Sequence, residues 1–344
     1  MPAGPRPPIH SPSVLKTTTL NPSTSHPPAS APRTIFFGSP EFAVPALERL
    51  AEVVNLVAVV TQPDRPSGRG QLLGPPAVKV AVGRLDAAIP VLQPEKIRPP
   101  EFEERLRAFS PELFVVVAYG RILPQRLLDL PPLGPWNVHA SLLPRWRGAA
   151  PIQWSIIAGD ARTGISIMRM EAGLDTGPVA AVAETDIRGD DTAGALSARL
   201  GRLGAELLAE TLPAIVAGWA TLTAQDPGGV SLAPPLRKED GHLDFRQTGA
   251  AVSARARGVD PWPGAMALLD GQPVKLFGPR LASSAPSPEV APGTVVGIDA
   301  GGIAVVSGDG LSVTFAEVQL PGRKRLPAAA VASGRSIAVG MRFG

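Results

Sequence analysis

The chain has 344 residues, 44% of them hydrophobic and 18% charged, enough for two domains and a sizeable core. It has no cysteine, which excludes disulfides, thiolate nucleophiles and cysteine-ligated zinc, and no apolar run approaches the roughly eighteen residues of a membrane-spanning helix. Three of the 33 basic residues, Arg6, Lys16 and Arg33, fall in residues 1–33 with no acid beside them, so the remaining 30 meet 30 acidic residues and any affinity for nucleic acid must come from local clusters.

Residues 1–33 hold nine prolines among Ser, Thr and Ala. Such a composition buries no core and reads as a disordered Pro-rich tail, a dispensable extension or a mis-assigned start. The prolines forbid the amphipathic helix of a transit peptide, and the apolar core of a secretory signal is missing, so the expected location is cytoplasmic.

From Thr34 the pattern becomes globular. Thr34–Phe37 reads as a strand, Gly38-Ser39-Pro40 as a turn, and the following residues to Leu50 as a helix that Ser39 caps and Pro40 opens. The G-x-G-x-x-G set is missing after this strand, so no dinucleotide is inferred. Further strands are expected at Asn55–Val60, Pro90–Leu92 and Leu113–Ala118, with helices near Val78–Ala87 and Glu101–Phe109. This alternation predicts an open, mostly parallel, Rossmann-like α/β sheet. Such sheets bind ligands beyond the carboxyl ends of their strands.

The stretch Thr61–Gln71 places Arg65 and Arg69 among prolines and glycines. It reads either as a solvated loop or as a flexible basic loop suited to phosphate contacts. Farther on, Trp136–His139 reads as a strand ending in Asn137 and His139, whose spacing of two puts both side chains on one face. An amide can donate to a developing oxyanion, and an imidazole can move a proton near neutral pH. A histidine at a strand end is more often structural, but His10 and His26 lie in the tail and His242 in a polar connection, which leaves His139 as the candidate for proton chemistry. Gly173-Leu174-Asp175-Thr176-Gly177 holds a carboxylate in a glycine-flanked turn. Asn137, His139 and Asp175 together suit acyl-type transfer without a covalent enzyme intermediate.

A helix is expected over Ala150–Ala158, strands over Thr163–Met170 and Pro178–Ala183, and a long helix capped at Asp191-Thr192 and ended by Gly218. Its apolar stripe runs Leu196, Leu200, Leu203, Leu207, Leu208, Leu212, Ile215. Residues 222–240 dissolve into Pro, Gly and charge and read as an interdomain linker. Short β-like runs then follow at Val274–Phe277, Thr294–Ile298, Gly302–Val306 and Leu311–Val318, the spacing of a small oligonucleotide-binding (OB-like) β-barrel. The expected division is a tail over 1–33, a catalytic domain over 34–221, the linker, and a C-terminal OB-like domain over 241–344. Gly322-Arg323-Lys324-Arg325 is a basic turn, solvated by default and a phosphate contact beside a nucleic acid.

Asn137-x-His139-x-Ser141-Leu142-Leu143-Pro144, with Leu174-Asp175-Thr176-Gly177 after it, resembles the folate-dependent formyltransferases from about Thr34 to the C-terminus, most densely over the first two thirds. Arg145-Trp146-Arg147-Gly148-Ala149-Ala150-Pro151-Ile152-Gln153 narrows the resemblance to the branch whose acceptor is initiator methionyl-tRNA. The resemblance implies an enzyme that moves the formyl group of N10-formyltetrahydrofolate to the methionyl amine of that tRNA for translation initiation; an amide, an imidazole and a carboxylate suffice for this, so no metal is expected, and a monomer is the simplest expectation. It further implies that Asn137, His139 and Asp175 are catalytic, that Ser141, Leu142, Leu143 and Pro144 hold the folate, and that Arg65 and Arg69 contact tRNA on an inserted loop. Beside a tRNA, Arg323 and Lys324 become contacts too. Gly-x-Ser-x-Gly is absent, so Ser141 is not read as a hydrolase nucleophile. Arg257–Gly264 keeps Pro261-Trp262-Pro263 but departs from the family on both sides, and Lys238–Asp240 matches it only in part. Three alternatives stay open: a formyltransferase acting on a nucleotide or nucleotide sugar, a formyltetrahydrofolate hydrolase, and a catalytically silent RNA-binding module.

Overall fold

The computed structural model describes residues 31–67, 72–282, 289–333 and 336–344. The continuous apolar runs become strands because only a strand covered on both faces can bury every side chain in turn. They are β1 (Arg33–Gly38), β2 (Asn55–Val60), β5 (Val91–Leu92) and β6 (Leu113–Val117). Between them lie α1 (Val44–Ala51), a short hairpin of β3 (Arg65–Ser67) and β4 (Leu72–Gly74), α2 (Ala77–Leu85) and α3 (Pro100–Arg107). After α4 (Gln125–Leu128) the chain enters β7 (Pro135–His139), β8 (Arg147–Gly148), α5 (Pro151–Ile157), β9 (Arg162–Arg169), β10 (Val179–Asp186) and α6 (Ala193–Val216).

Seven strands form one sheet in the order β10-β9-β7-β6-β1-β2-β5. β5, β2, β1, β6 and β7 are mutually parallel, and β9 runs antiparallel to both β7 and β10. The expected open, mostly parallel sheet is therefore present. One face packs Phe36, Val115 and Val138 against α1, α2 and α6, and the other packs Phe37, Phe114 and Tyr119 against α3 and α4. Burial pushes the Tyr119 phenol up to about 12. The strand order reverses between β1 and β6, and β7 ends at the same carboxyl edge.

Ser39 does not cap the first helix. Its hydroxyl accepts the Gln62 N–H at 3.1 Å, tying the β1 turn to the end of β2, and a 3-10 turn over Glu41–Ala43 precedes α1. Thr192 caps α6 by accepting the Ala195 N–H, whereas Asp191 accepts the Arg188 N–H and the Arg199 guanidinium. α6 ends where Gly218 turns left-handed at φ 74°. Among the described residues no helix is long and apolar enough to cross a membrane.

The second core gathers residues from Leu236 to Phe343, together with Ala150. It surrounds a sheet of β12 (Met266–Leu269), β13 (Gln272–Leu281), β14 (Val295–Asp299), β15 (Gly302–Val306) and β16 (Ser312–Gln319), with β17 (Leu326–Pro327) paired to β16. The C-terminal residues join the two edges: Leu268 and Gly344 exchange backbone hydrogen bonds, while Val295 donates to Met341 and Phe343 to Gly293. The sheet is thereby closed into a barrel, which removes its free edges.

β11 (Leu232–Ala233), α7 (Gly249–Gly258), β12, the β3–β4 hairpin and α8 (Ala328–Ser333) were not anticipated. Apart from Val252, α7 is built from Ala, Gly, Ser and Arg, and it buries Gly249, Val252, Ala254, Ala256 and Gly258 between α5 and the barrel, so it carries no apolar stripe of large residues. A side chain at Gly258 would strike Ile157 Cγ1 at 2.5 Å, which explains why small residues line this seam. Nor is the connector over 222–240 a loose tether. Thr223 bridges Val179, and β11 lies parallel to β8.

Candidate active site

β7 is interior to the sheet, flanked by β6 and β9, so Asn137 and His139 issue from a backbone held on both sides. Their side chains emerge on the same face and meet Asp175, 38 residues after Asn137. Asn137 Nδ2 is 3.5 Å from Asp175 Oδ1, and His139 Nδ1 is 3.7 Å from Oδ2. The Gly148 N–H donates to Oδ2 at 2.9 Å. His139 is 5% exposed, which places its ring out of bulk water. Its Nε2 lies 3.0 Å from the carbonyl oxygen of Trp146. A carbonyl only accepts, so Nε2 carries the hydrogen and Nδ1 is the nitrogen left to take up a proton.

Left-handed backbone shapes the site. Ala118 at the end of β6 (φ 47°), Trp146 (φ 61°) and Asp175 (φ 51°) all adopt a conformation unfavourable for a non-glycine residue. Asp175 can hold it because the turn is braced from outside. A side chain at Gly177 would strike the Arg169 carbonyl at 1.9 Å, so this turn lies directly against the end of β9. Asp160 braces the neighbouring loop, accepting from Arg145 Nη2 and from Trp146 Nε1, both at 2.7 Å.

The Ser141–Pro144 segment is a built loop. Ser141 is fully buried and its hydroxyl donates to the Arg145 carbonyl at 2.6 Å, while Ser166 donates to the Ser141 carbonyl and accepts the Leu143 N–H. Ser141 thus shapes the loop instead of presenting its hydroxyl. Leu142 Cδ2 lies against Gly164, where an added Cβ would meet it at 2.5 Å. Leu143 and Pro144 line a cleft of about 430 Å³ with Val179–Val182 and Thr223–Asp226. The cleft is lined mostly by apolar side chains with polar groups at Thr223, Gln225 and Asp226, a composition that can take a flat, partly aromatic ligand.

Of the basic residues singled out, Arg65 is exposed on β3, and its hairpin rises from the carboxyl end of β2, the same edge of the sheet that carries His139. Asp64 fastens the base of this hairpin, accepting from Gln93 at 2.6 Å and Lys79 at 2.8 Å, and these hydrogen bonds hold its carboxyl below the usual range. Arg69 lies outside the described residues. Arg323 and Lys324 are exposed in the turn between β16 and β17, closed by Gln319 donating to the Arg323 carbonyl. Arg325 in the same run lies over the Phe277 ring at 4.0 Å and pairs with Glu317.

Sequence reasoning missed four contributors: the Trp146 carbonyl, the Gly148 N–H, Arg147 and Gln225. The two backbone groups leave no compositional signal. Arg147 lies within the recognised motif, but its partner Gln225 sits in a segment without pattern.

A family model described as formyl transferase matches residues 33–212, and one described as formyl transferase, C-terminal domain, matches residues 235–336. The chain is 47% identical over 313 residues to the methionyl-tRNA formyltransferase of Geotalea daltonii, covering 91% of the chain and 98% of that relative. The methionyl-tRNA formyltransferase of Myxococcus xanthus is 45% identical over 90% of the chain and 97% of its own length. Among solved structures, HypX from Aquifex aeolicus in complex with tetrahydrofolic acid superimposes with a TM-score of 0.60 at 18% identity, over 90% of the chain. The chain spans about half of HypX, 48% of that chain. WlaRD, a sugar 3N-formyl transferase, superimposes with a TM-score of 0.61 at 16% identity, over 86% of the chain and 100% of WlaRD. At such identities the likeness is one of fold. The chain belongs to the formyl transferase family, among the methionyl-tRNA formyltransferases.

Proposed function

We propose that this chain transfers the formyl group of N10-formyltetrahydrofolate to the α-amine of methionine on initiator methionyl-tRNA. The observation that carries the reading is the meeting of Asn137 and His139 with Asp175 at the carboxyl edge of the sheet, in a chain similar over nine tenths of its length to methionyl-tRNA formyltransferases. The folate supplies an activated formyl carbon, and the protein has to manage charge and protons around it.

Asn137 Nδ2 donates to the formyl oxygen as the amine adds and negative charge develops there. His139 accepts the amine proton at Nδ1, because Nε2 is committed to the Trp146 carbonyl. Asp175 stabilises the resulting imidazolium by its charge, its Oδ2 standing 3.7 Å from Nδ1. The same proton is then available to the departing N10 nitrogen, so the carbon–nitrogen bond that forms replaces the one that breaks with no net proton change. The Ser141–Pro144 loop and the adjoining cleft hold the folate, and Arg65, Arg69, Arg323 and Lys324 contact the tRNA. The chain acts as a monomer.

Incubation of the purified protein with formyl-labelled N10-formyltetrahydrofolate and methionyl-tRNA tests this reading. Label on the methionyl amine is the expected outcome. Release of free formate, or label only on small amines or amino sugars, would assign a different acceptor.

A further inference from the structure

Gln225 lies in the connector between the two domains, half-buried and outside every motif. Its carboxamide makes four hydrogen bonds at once. Nε2 donates to the carbonyls of Asp175 at 2.8 Å and Gly177 at 2.7 Å, and Oε1 accepts from Arg147 Nε at 3.0 Å and Nη2 at 2.8 Å. Only one orientation of the amide satisfies this set, since carbonyls cannot donate and a guanidinium cannot accept. The positive charge on Arg147 polarises the amide and strengthens its two N–H bonds to the turn.

We propose that Gln225 is a positioning residue for formyl transfer: it clamps the Asp175 turn in its left-handed conformation and thereby fixes the carboxylate against His139 and the Gly148 N–H. The inference rests on the role proposed above for Asp175. The turn needs such a clamp because Asp175 sits at φ 51° and is flanked by two glycines, Gly173 and Gly177, which leave it many other conformations. The clamp is also anchored beyond the catalytic domain. In the segment after Gln225 the Ser231 hydroxyl accepts the Trp146 N–H, β11 pairs with β8, and the chain continues into Leu236 of the barrel core. Seating of the C-terminal domain and placement of the catalytic carboxylate therefore run through one continuous segment.

The test uses the full chain carrying Gln225→Met, which keeps length and removes all four bonds, and Gln225→Glu, which keeps an acceptor for Arg147 but turns both turn-facing donors into acceptors. Each is also made in an Asp175→Asn background. The expected result is a kcat lowered about 10- to 100-fold with KM for both substrates little changed. That loss should shrink to less than about twofold when Asp175 is already gone, as coupling through one residue requires. By NMR, exchange of the Gly148 amide should quicken about tenfold while amides of β1 keep their protection. An unchanged kcat, or an equal loss in both backgrounds, overturns the proposal, because general weakening of the connector would act whether or not Asp175 is present. If the wild type does not formylate methionyl-tRNA, the functional reading has failed by itself. The Gly148 exchange rate then decides the clamp alone: faster exchange upholds it and an unchanged rate overturns it.

Discussion

Nδ1 of His139 stands 3.7 Å from Oδ2 of Asp175, and the other ring nitrogen is closed off by the Trp146 carbonyl at 3.0 Å. The imidazole is thus fixed in one tautomer with its free lone pair toward a carboxylate. Asp175→Asn keeps the shape and removes the charge, and kcat should fall on the order of a hundred- to ten-thousand-fold. Single-turnover formylation with saturating methionyl-tRNA measures this, and a variant retaining a tenth of wild-type turnover would remove Asp175 from the chemistry.

Asn137→Ala takes away a donor whose partner group develops its charge only as the amine adds. The expected loss is about a hundred- to a thousand-fold in kcat, roughly 3–4 kcal/mol, with little change in the apparent affinity for either substrate. Steady-state kinetics with each substrate varied in turn separates this from a binding defect.

Gly164 faces the backbone of the neighbouring strand so closely that an added Cβ would meet the Ala183 carbonyl at 2.1 Å and Leu142 at 2.5 Å. Gly164→Ala should destabilise the fold by about 1–3 kcal/mol, since backbone at a paired edge yields little. It should also lower activity in the folded fraction by displacing Leu142. Urea unfolding gives the first quantity, and activity normalised to folded protein gives the second.

Asp191 is 5% exposed. Burial alone would raise its carboxyl, but hydrogen bonds from Arg199 and from the Arg188 N–H hold it below the ordinary 3.8. A carboxyl depressed on folding contributes stability above its unfolded value and loses it as pH falls through the folded value. Asp191→Asn should therefore destabilise by roughly 2 kcal/mol at neutral pH, and the gap from wild type should close as pH falls below the ordinary carboxylate value and through the depressed folded one. Parallel denaturant curves at several pH values read this directly, and a gap independent of pH would rule out the ionised pair as its source.

Arg65 and Lys324 are exposed cations on different domains. If both meet tRNA phosphates, Arg65→Ala and Lys324→Ala should each raise KM for methionyl-tRNA, leave the folate KM unchanged, and reduce the slope of log affinity against log salt by about one. Filter binding across a salt series tests the slope.

Several features of this protein follow from its linear order of residues. Short apolar runs such as Phe36-Phe37 and Val115-Val116-Val117 favour strands buried on both faces, because they are brief and rich in β-branched and aromatic residues. The spacing of Asn137 and His139 puts both on one face of whichever strand carries them. The stripe from Leu196 to Ile215 determines a long helix. Tertiary structure alone decided the rest. α7 escapes any periodic reading because most of the residues it buries are its own Gly, Ala and Ser, spread over several sides. The Ser141 hydroxyl turns into its own loop, to the Arg145 carbonyl, because the left-handed turn there brings that carbonyl within reach, and Ser39 turns to the Gln62 N–H, a partner distant in sequence at the end of β2. Asp175 reaches His139, and Gln225 reaches Asp175, only in the assembled fold, where the connector lies back along β8. Such contacts leave no trace in spacing, since they are made by backbone groups and single polar side chains whose neighbours are chosen by the fold.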